Sequence, residues 1–221
     1  MQNPARRFLP AAGFDWLLPI YDPFCRLFGA ERLRERLIAA AEIRAGQRVL
    51  DLGCGTGELS LAIKRLHPRA RVIGADPDPK ALARARKKAA QAGLEVTFEE
   101  AFGGDLPHAD GSFDRVLSSL VLHHLTRDEK LDALREVRRV LAPDGALHVL
   151  DLGPPRSALE RRLAYFFHWS ERARDNVAGR IPELARQAGF PDARETERLS
   201  SWFGGVSLFA TSPQSASTLP R

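Results

Sequence analysis

The stretch VLDLGCGTGELS, residues 49–60, joins a short apolar run to a helical pattern through a loop that contains three glycines. A continuous apolar run of this length is typical of a strand that is covered on both faces. Gly53, Gly55 and Gly57 occupy every second position of the loop. Glycine adopts positive φ and lets a ligand approach the main chain closely. The stretch therefore predicts a ligand site after a central strand, with a tight turn that binds no ligand as the alternative.

Strand and helix patterns alternate on both sides of this loop, as in sheets with helical crossovers. Strands are predicted at 47–52, 70–76, 94–100, 113–119 and 145–153, and helices at 31–42, 58–67, 79–93, 127–145 and 181–190. Pro143 and Gly145 are expected to stop the fourth helix. The stretch 193–212 reads as a strand, a Gly-Gly turn and a closing strand. The expected fold is Rossmann-like α/β, doubly wound, with a mostly parallel seven-stranded sheet and an antiparallel C-terminal hairpin.

Length and composition indicate one domain over residues 1–211, followed by a flexible tail at 212–221. Two cysteines among 221 residues are too few for a disulfide framework, which favours a reducing compartment. The net charge of +5 is spread over helices that also carry acids. The apolar N-terminal stretch is interrupted by prolines and aspartates, so a stable membrane insertion is not expected. The predicted location is the cytoplasm.

A second acid follows the next strand, in VIGADPDP at residues 72–79. Asp76 ends that strand, where a carboxylate can accept hydrogen bonds from two ribose hydroxyls. Asp78 is better placed to cap the following helix, which leaves Asp76 for a ligand. A dinucleotide-binding loop needs a glycine three residues after its second glycine. In this chain Glu58 stands at that position. A nicotinamide dinucleotide is therefore disfavoured.

These two motifs, together with LPHADGSFDRVLSSLVLHHL and LREVRRVLAPDGALHVLD, resemble the class I S-adenosylmethionine-dependent methyltransferases. The resemblance covers residues 31–151, and four motifs in order make it specific. The chain is most similar to small-molecule methyltransferases of ubiquinone and menaquinone biosynthesis, whose N-terminal segment also carries a Tyr-Asp pair comparable to Tyr21-Asp22. The resemblance implies S-adenosylmethionine as the cofactor and a small acceptor, apolar or aromatic in character.

The resemblance also assigns cofactor contacts. The three loop glycines would hold the methionine and ribose parts, Asp51 the methionine end, and Asp76 the ribose. The family often has an acid that contacts the adenine amino group, but Phe102 stands at that position. The Phe102 ring, the backbone of Gly103 and the side chain of Asp105 are the alternatives. Ser118, at the end of a core strand, is a further predicted cofactor contact, with packing as its other role.

Methyl transfer needs alignment and exclusion of water, and it needs a base only if the acceptor must lose a proton. His123 and His124 follow the fourth core strand, on the side from which an acceptor would approach. Histidine side chains titrate near neutral pH, which suits a general base. His123 is the predicted catalytic residue and a predicted acceptor contact, and His124 is the lesser candidate. The alternative for both is a hydrogen-bonded loop histidine.

Two segments are predicted to act as lids, residues 1–30 over the cofactor site and an insertion at 152–178 over the acceptor. Tyr21, Phe167 and His168 in these segments are predicted acceptor contacts, with packing on the core as the alternative. No metal site is predicted, and nucleic acid is not an expected partner; the oligomeric state stays open. An RNA or other macromolecule methyltransferase is the second hypothesis. The third is a protein that binds the cofactor without turnover.

Overall fold

The computed structural model describes residues 30–158, 160–162, 171–201 and 204–211, and their strands form one sheet. The strands are β1 (Arg48–Leu52), β2 (Arg71–Asp76), β3 (Thr97–Glu100), β4 (Phe113–Ser119), β5 (Leu141–Leu152), β6 (Arg194–Ser201) and β7 (Gly204–Ala210). The helices are α1 (Ala30–Ala40), α2 (Glu58–Leu66), α3 (Pro79–Ala92), α4 (Arg127–Val140), α5 (Arg174–Val177) and α6 (Ile181–Gln187). Short 3₁₀ turns cover Leu122–His124 and Glu171–Ala173.

The strand order in the sheet is β3-β2-β1-β4-β5-β7-β6. All neighbouring pairs from β3 to β5 are parallel, whereas β7 runs antiparallel to both β5 and β6. This arrangement confirms the predicted doubly wound sheet with an antiparallel C-terminal hairpin. The order reverses between β1 and β4, and ligands of such sheets bind beyond the carboxyl ends of the strands at that point.

The helices cover both faces of the sheet, which is why most residues of the central strands are buried. Val49 of β1 packs in a cluster with Leu37 of α1 and Ile63 of α2. Its neighbour Leu50 points to the opposite face and packs in the cluster that contains Val137 of α4. Side chains of a strand alternate between faces, so two adjacent buried residues require a cover on each side.

Two predicted boundaries were wrong in detail. The helix that Pro143 and Gly145 were expected to stop ends at Val140, and β5 begins directly at Leu141. Proline disfavours helical backbone in the residue before it, so the chain leaves the helix before the proline is reached. At the C-terminal hairpin, Gly204 and Gly205 belong to β7 rather than to the turn.

Several predictions fall on residues outside the described ranges. They concern the lid at 1–30, the tail at 212–221 and part of the insertion at 152–178. Within the described part of the chain, no helix is both long and apolar enough to cross a membrane.

Candidate active site

The glycine loop leaves β1 with three successive left-handed glycines. The φ angles of Gly53, Gly55 and Gly57 are 73°, 50° and 81°. Other residues rarely adopt such angles, so the backbone path itself requires glycine. At Gly53 a Cβ would also lie 2.5 Å from a methyl carbon of Val121, which follows β4. The loop is thus packed directly against the segment after β4, at the point where the strand order reverses.

Asp51 lies beneath this loop and is almost completely buried. The hydroxyl of Ser60, in the first turn of α2, donates a hydrogen bond of 2.5 Å to its carboxylate. Burial raises the pKa of Asp51 to about 7, although the bond from Ser60 acts in the opposite direction. A buried carboxyl group with such a pKa can be neutral or charged near neutral pH. The protonation state of Asp51 can therefore change when a cation binds near it.

Asp76 ends β2 and holds the glycine loop in place. Its two carboxylate oxygens accept hydrogen bonds from the backbone N–H groups of Gly55, at 2.8 Å, and Asp78, at 2.9 Å. A carboxylate offers about four acceptor positions, so two remain for a pair of ribose hydroxyls. Burial raises the pKa of Asp76, and the two backbone bonds partly offset this effect. As predicted, Asp78 caps α3 by accepting from Lys80 N at 2.8 Å.

Three further predicted cofactor residues lie around the carboxyl ends of β1 and β3. Phe102 forms an antiparallel bridge with Asp105, and the Phe102 carbonyl accepts from Asp105 N at 2.9 Å. A Cβ at Gly103 would lie 3.6 Å from Leu52 at the end of β1. Ser118 is buried, and its hydroxyl donates to the Leu52 carbonyl at 3.0 Å. Gly103 and Ser118 therefore both border the last residue of β1, beside the glycine loop.

The segment after β4 is organised by Asp151, a residue that the sequence analysis did not single out. Asp151 is completely buried near the end of β5. One of its oxygens accepts from the backbone N–H groups of Val121, at 3.0 Å, and Leu122, at 2.7 Å. The other oxygen lies 2.8 Å from Nδ1 of His123 and also accepts from Leu152 N. One buried carboxylate thus aligns the turn and its histidine together.

The segment after β4 has a strained backbone at its first residue. Leu120 has a φ of 58°, which side-chain-bearing residues seldom adopt. Its N–H donates to the Leu150 carbonyl at 2.8 Å, which keeps it attached to β5. Strain of this kind persists only where surrounding contacts hold it, and such residues cluster at functional sites. The bonds to Asp151 supply those contacts here.

The pairing with Asp151 selects the tautomer of His123. Burial raises the pKa of Asp151, but attraction to His123 and the hydrogen bonds it accepts outweigh burial and leave that pKa lowered. An ionised carboxylate only accepts hydrogen bonds, so Nδ1 of His123 carries the proton and Nε2 is left as the basic nitrogen. The ring of His123 is partly exposed, at 17%. For the adjacent His124, burial lowers the pKa to about 4.

A signal for Asp151 was present in the sequence. The pentapeptide VLDLG occurs at residues 49–53 and again at 149–153, each time as the end of a buried strand. Because parallel strands end at one edge of the sheet, the second acid could have been placed beside the histidines that follow β4. The predictions for Tyr21, Phe167 and His168 lie outside the described residues, and they remain predictions.

Comparison with known proteins finds related methyltransferases. The family described as a methyltransferase domain matches residues 49–145. A demethylmenaquinone methyltransferase of Thermus thermophilus is 46% identical over 145 residues, which span 64% of this chain and 65% of that protein. A ubiquinone/menaquinone biosynthesis C-methyltransferase of Syntrophotalea carbinolica is 34% identical over 187 residues, which span 82% of this chain and 76% of that protein.

A solved structure has the same fold. The crystal structure of an S-adenosylmethionine-dependent methyltransferase from Aquifex aeolicus superposes with a TM-score of 0.63 at 19% identity. The superposition covers 84% of this chain and 90% of that chain. At this identity the likeness concerns the fold, and the site residues have to be argued from their own geometry.

Proposed function

Because the chain belongs to the S-adenosylmethionine-dependent methyltransferase family, we propose that it methylates a ring carbon of a small, apolar quinol. The observation that supports this proposal is the Asp151–His123 pair, which engages Nδ1 and leaves Nε2 as the other ring nitrogen, in the segment after β4 whose Val121 packs beside Gly53. Methylation of a ring carbon needs such a base, because the ring hydroxyl must lose its proton before the carbon becomes nucleophilic. The relatives named after menaquinone and ubiquinone biosynthesis support a prenylated quinol as the acceptor.

The residues around the glycine loop suit an adenosyl donor. In this proposal Asp76 accepts hydrogen bonds from the ribose hydroxyls with its two remaining acceptor positions. Asp51 and the three glycines would hold the methionine end of the donor. Phe102, Gly103 and Ser118, around the ends of β1 and β3, would contact the adenosyl group. When bound, the donor supplies a methyl carbon whose bond to sulfur breaks, the electron pair staying on sulfur, as the acceptor carbon forms the new bond.

The protein itself contributes a base and a fixed geometry. Nε2 of His123 accepts the proton of the ring hydroxyl, and the electron density released into the ring makes the neighbouring carbon nucleophilic. Asp151 stabilises the imidazolium that forms, because its carboxylate faces Nδ1–H at 2.8 Å. As the ring regains aromaticity, the proton at the newly methylated carbon leaves to solvent, and the ring oxygen takes back the proton held on Nε2 of His123. The overall change is one methyl gained and one proton released.

The proposal extends to the rest of the chain. Residues 1–211 act as one catalytic domain, with lids at 1–30 and 152–178 that exclude water from the acceptor. Tyr21, Phe167 and His168 would contact the acceptor from these lids. The enzyme acts in the cytoplasm on a small molecule rather than on nucleic acid.

The experiment compares acceptors and two histidine variants. Purified protein receives methyl-labelled S-adenosylmethionine and either a prenylated 1,4-naphthoquinol, kept reduced, or transfer RNA. We expect label in the quinol only. His123→Gln should lower kcat by roughly a hundredfold or more, as expected for loss of a general base. His124→Gln is the matched control and should retain most of the activity. Label in RNA alone, or equal effects of the two variants, would contradict the proposal.

A further inference from the structure

The 3₁₀ turn Leu122–His124, which carries the proposed base His123, is held at its N-terminal end by Asp151. The Asp151 carboxylate accepts hydrogen bonds from two backbone N–H groups at that end. The other end of a helical turn exposes carbonyl groups, and these need partners from outside the turn. His124 is the last residue of this turn. Its carbonyl is therefore a group through which the second end of the turn can be fixed.

Arg172 contacts the carbonyl at this second end. Nη1 of its guanidinium donates to the His124 carbonyl at 2.8 Å and to the carboxylate of Glu129, in the first turn of α4, at 3.1 Å. A hydrogen bond from a charged donor is about twice as strong as one between neutral groups. An anion at the N–H end and a cation at the carbonyl end also match the partial charges of the turn. Asp151 and Arg172 thus hold opposite ends of it.

Arg172 is itself fixed from α4. Its own carbonyl accepts from the ammonium group of Lys130, whose side chain is fully buried. A buried ammonium group needs such partners, and the carboxylate of Asp175 lies 3.9 Å away from it. Glu129, which pairs with the guanidinium, also accepts from Thr126 N in the capping box of α4. The main chain and the side chain of Arg172 are therefore both attached to one end of a rigid helix.

Arg172 also belongs to the insertion at 152–178. The 3₁₀ turn that contains it, Glu171–Ala173, packs against the turn Leu122–His124. Within the latter turn the rings of His123 and His124 are in contact, with their centroids 4.0 Å apart. A displacement of His124 would therefore reach the ring of His123 directly.

We propose that Arg172 is a positioning residue, whose bond to the His124 carbonyl fixes the orientation of His123 and couples the insertion to the base. The inference rests on the proposed function, because it takes His123 as the base and the insertion as the cover of the acceptor. Arg172 acts only through the turn in this role. Its removal leaves Asp151 as the remaining charged anchor of the turn, so His123 is aligned for a smaller fraction of the time.

The kinetic test uses two arginines of the same segment. Arg172→Met keeps the apolar stem and removes both guanidinium contacts. With the prenylated 1,4-naphthoquinol it should lower kcat by about tenfold or more, with unchanged affinity for S-adenosylhomocysteine in calorimetry. Arg174→Met is the matched control and should keep the wild-type kcat, because Arg174 is 72% exposed and lies 3.8 Å from Glu171. In a His123→Gln background, Arg172→Met should cause no further loss, since it acts through His123.

The orientation of His123 can also be measured without an acceptor. Nitrogen NMR spectra of protein with isotope-labelled histidine distinguish the two tautomers of a neutral ring, and the signals missing from His123→Gln identify this residue. The wild type should show His123 protonated on Nδ1, the nitrogen that faces Asp151. Arg172→Met should show a mixture of both tautomers, and Arg174→Met should show the wild-type spectrum.

Three results would overturn the inference and leave the proposed base in place. They are an unchanged kcat in Arg172→Met, losses that multiply in the His123→Gln background, and an unchanged His123 spectrum. A wild type that does not methylate the quinol would overturn the proposed function, and the spectra would then decide the alignment of His123 alone. If Arg172→Met does not bind S-adenosylhomocysteine, Arg172→Lys takes its place. Lysine keeps the charge without the planar fork, so the same pattern with a smaller loss is expected.

Discussion

Replacing Asp51 by Asn should stabilise the ligand-free protein, and the gain should grow with pH. Burial raises the pKa of this carboxyl group from its ordinary value of 3.8 to about 7. The folded protein therefore prefers the protonated group, whereas the unfolded chain prefers the carboxylate at neutral pH. Each unit of pKa shift corresponds to about 1.4 kcal/mol, so the ionised group destabilises the fold by on the order of 4 kcal/mol once the pH exceeds both pKa values.

The direction of the pKa shift determines the pH range over which the stability changes. Below the unfolded pKa both states carry the neutral group, and the stability contributed by the raised pKa is fully present. It is lost as the pH rises towards the folded value of about 7, and the loss is constant above it. Asparagine keeps the shape and an oxygen for the Ser60 hydroxyl but cannot ionise. The free energy of unfolding of Asp51→Asn, relative to wild type, should thus rise by about 3 kcal/mol between pH 5 and pH 8.

Urea unfolding of both proteins at pH 5, 6, 7 and 8, without ligand, measures this difference. Groups that titrate equally in both proteins cancel in the comparison. Asp114→Asn is a control of the opposite sign, because hydrogen bonds and attraction from Arg48 outweigh burial and lower the pKa of Asp114. That variant should be less stable than wild type by a nearly constant amount over the same pH range. Parallel pH curves for wild type and Asp51→Asn would refute the reasoning.

Three further variants address the site. Asp76→Ala should weaken S-adenosylmethionine binding more than tenfold in calorimetry, and unchanged affinity would contradict the ribose assignment. Gly53→Ala should abolish binding and lower the melting temperature, because φ is 73° and a Cβ would lie 2.5 Å from a valine methyl. Gly46→Ala is the control: its φ is 83° and the space around it is open, so it should show only the small loss of stability caused by the backbone conformation. Asp151→Asn should lower kcat at least a hundredfold with little change in donor affinity, since an amide can donate to Nδ1 of His123 and leave the proton on Nε2. Activity near wild type would argue against the base.

Most of the architecture was predictable because its signals are local. The alternation of apolar strands and amphipathic helices identified the fold class, and Gly93 ended α3 as expected. The boundary at Val140 was missed because a proline acts on the residue before it, and the strand pairing of Leu141 with Phe113 is a long-range contact. The cap at Asp78 was predicted correctly, since capping depends on residues only two positions apart.

The sequence by itself determined a glycine loop after the first core strand, an acid at the end of the next strand and a histidine pair after the fourth. Each depends on residues close together in the chain, where backbone preference and periodicity act. Only the tertiary structure decided that Asp151 aligns His123, that Asp51 is buried enough to raise its pKa to about 7, and that Arg172 contacts the carbonyl of His124. These properties arise from burial and from contacts between distant segments, and local sequence patterns do not encode how much water the folded chain excludes.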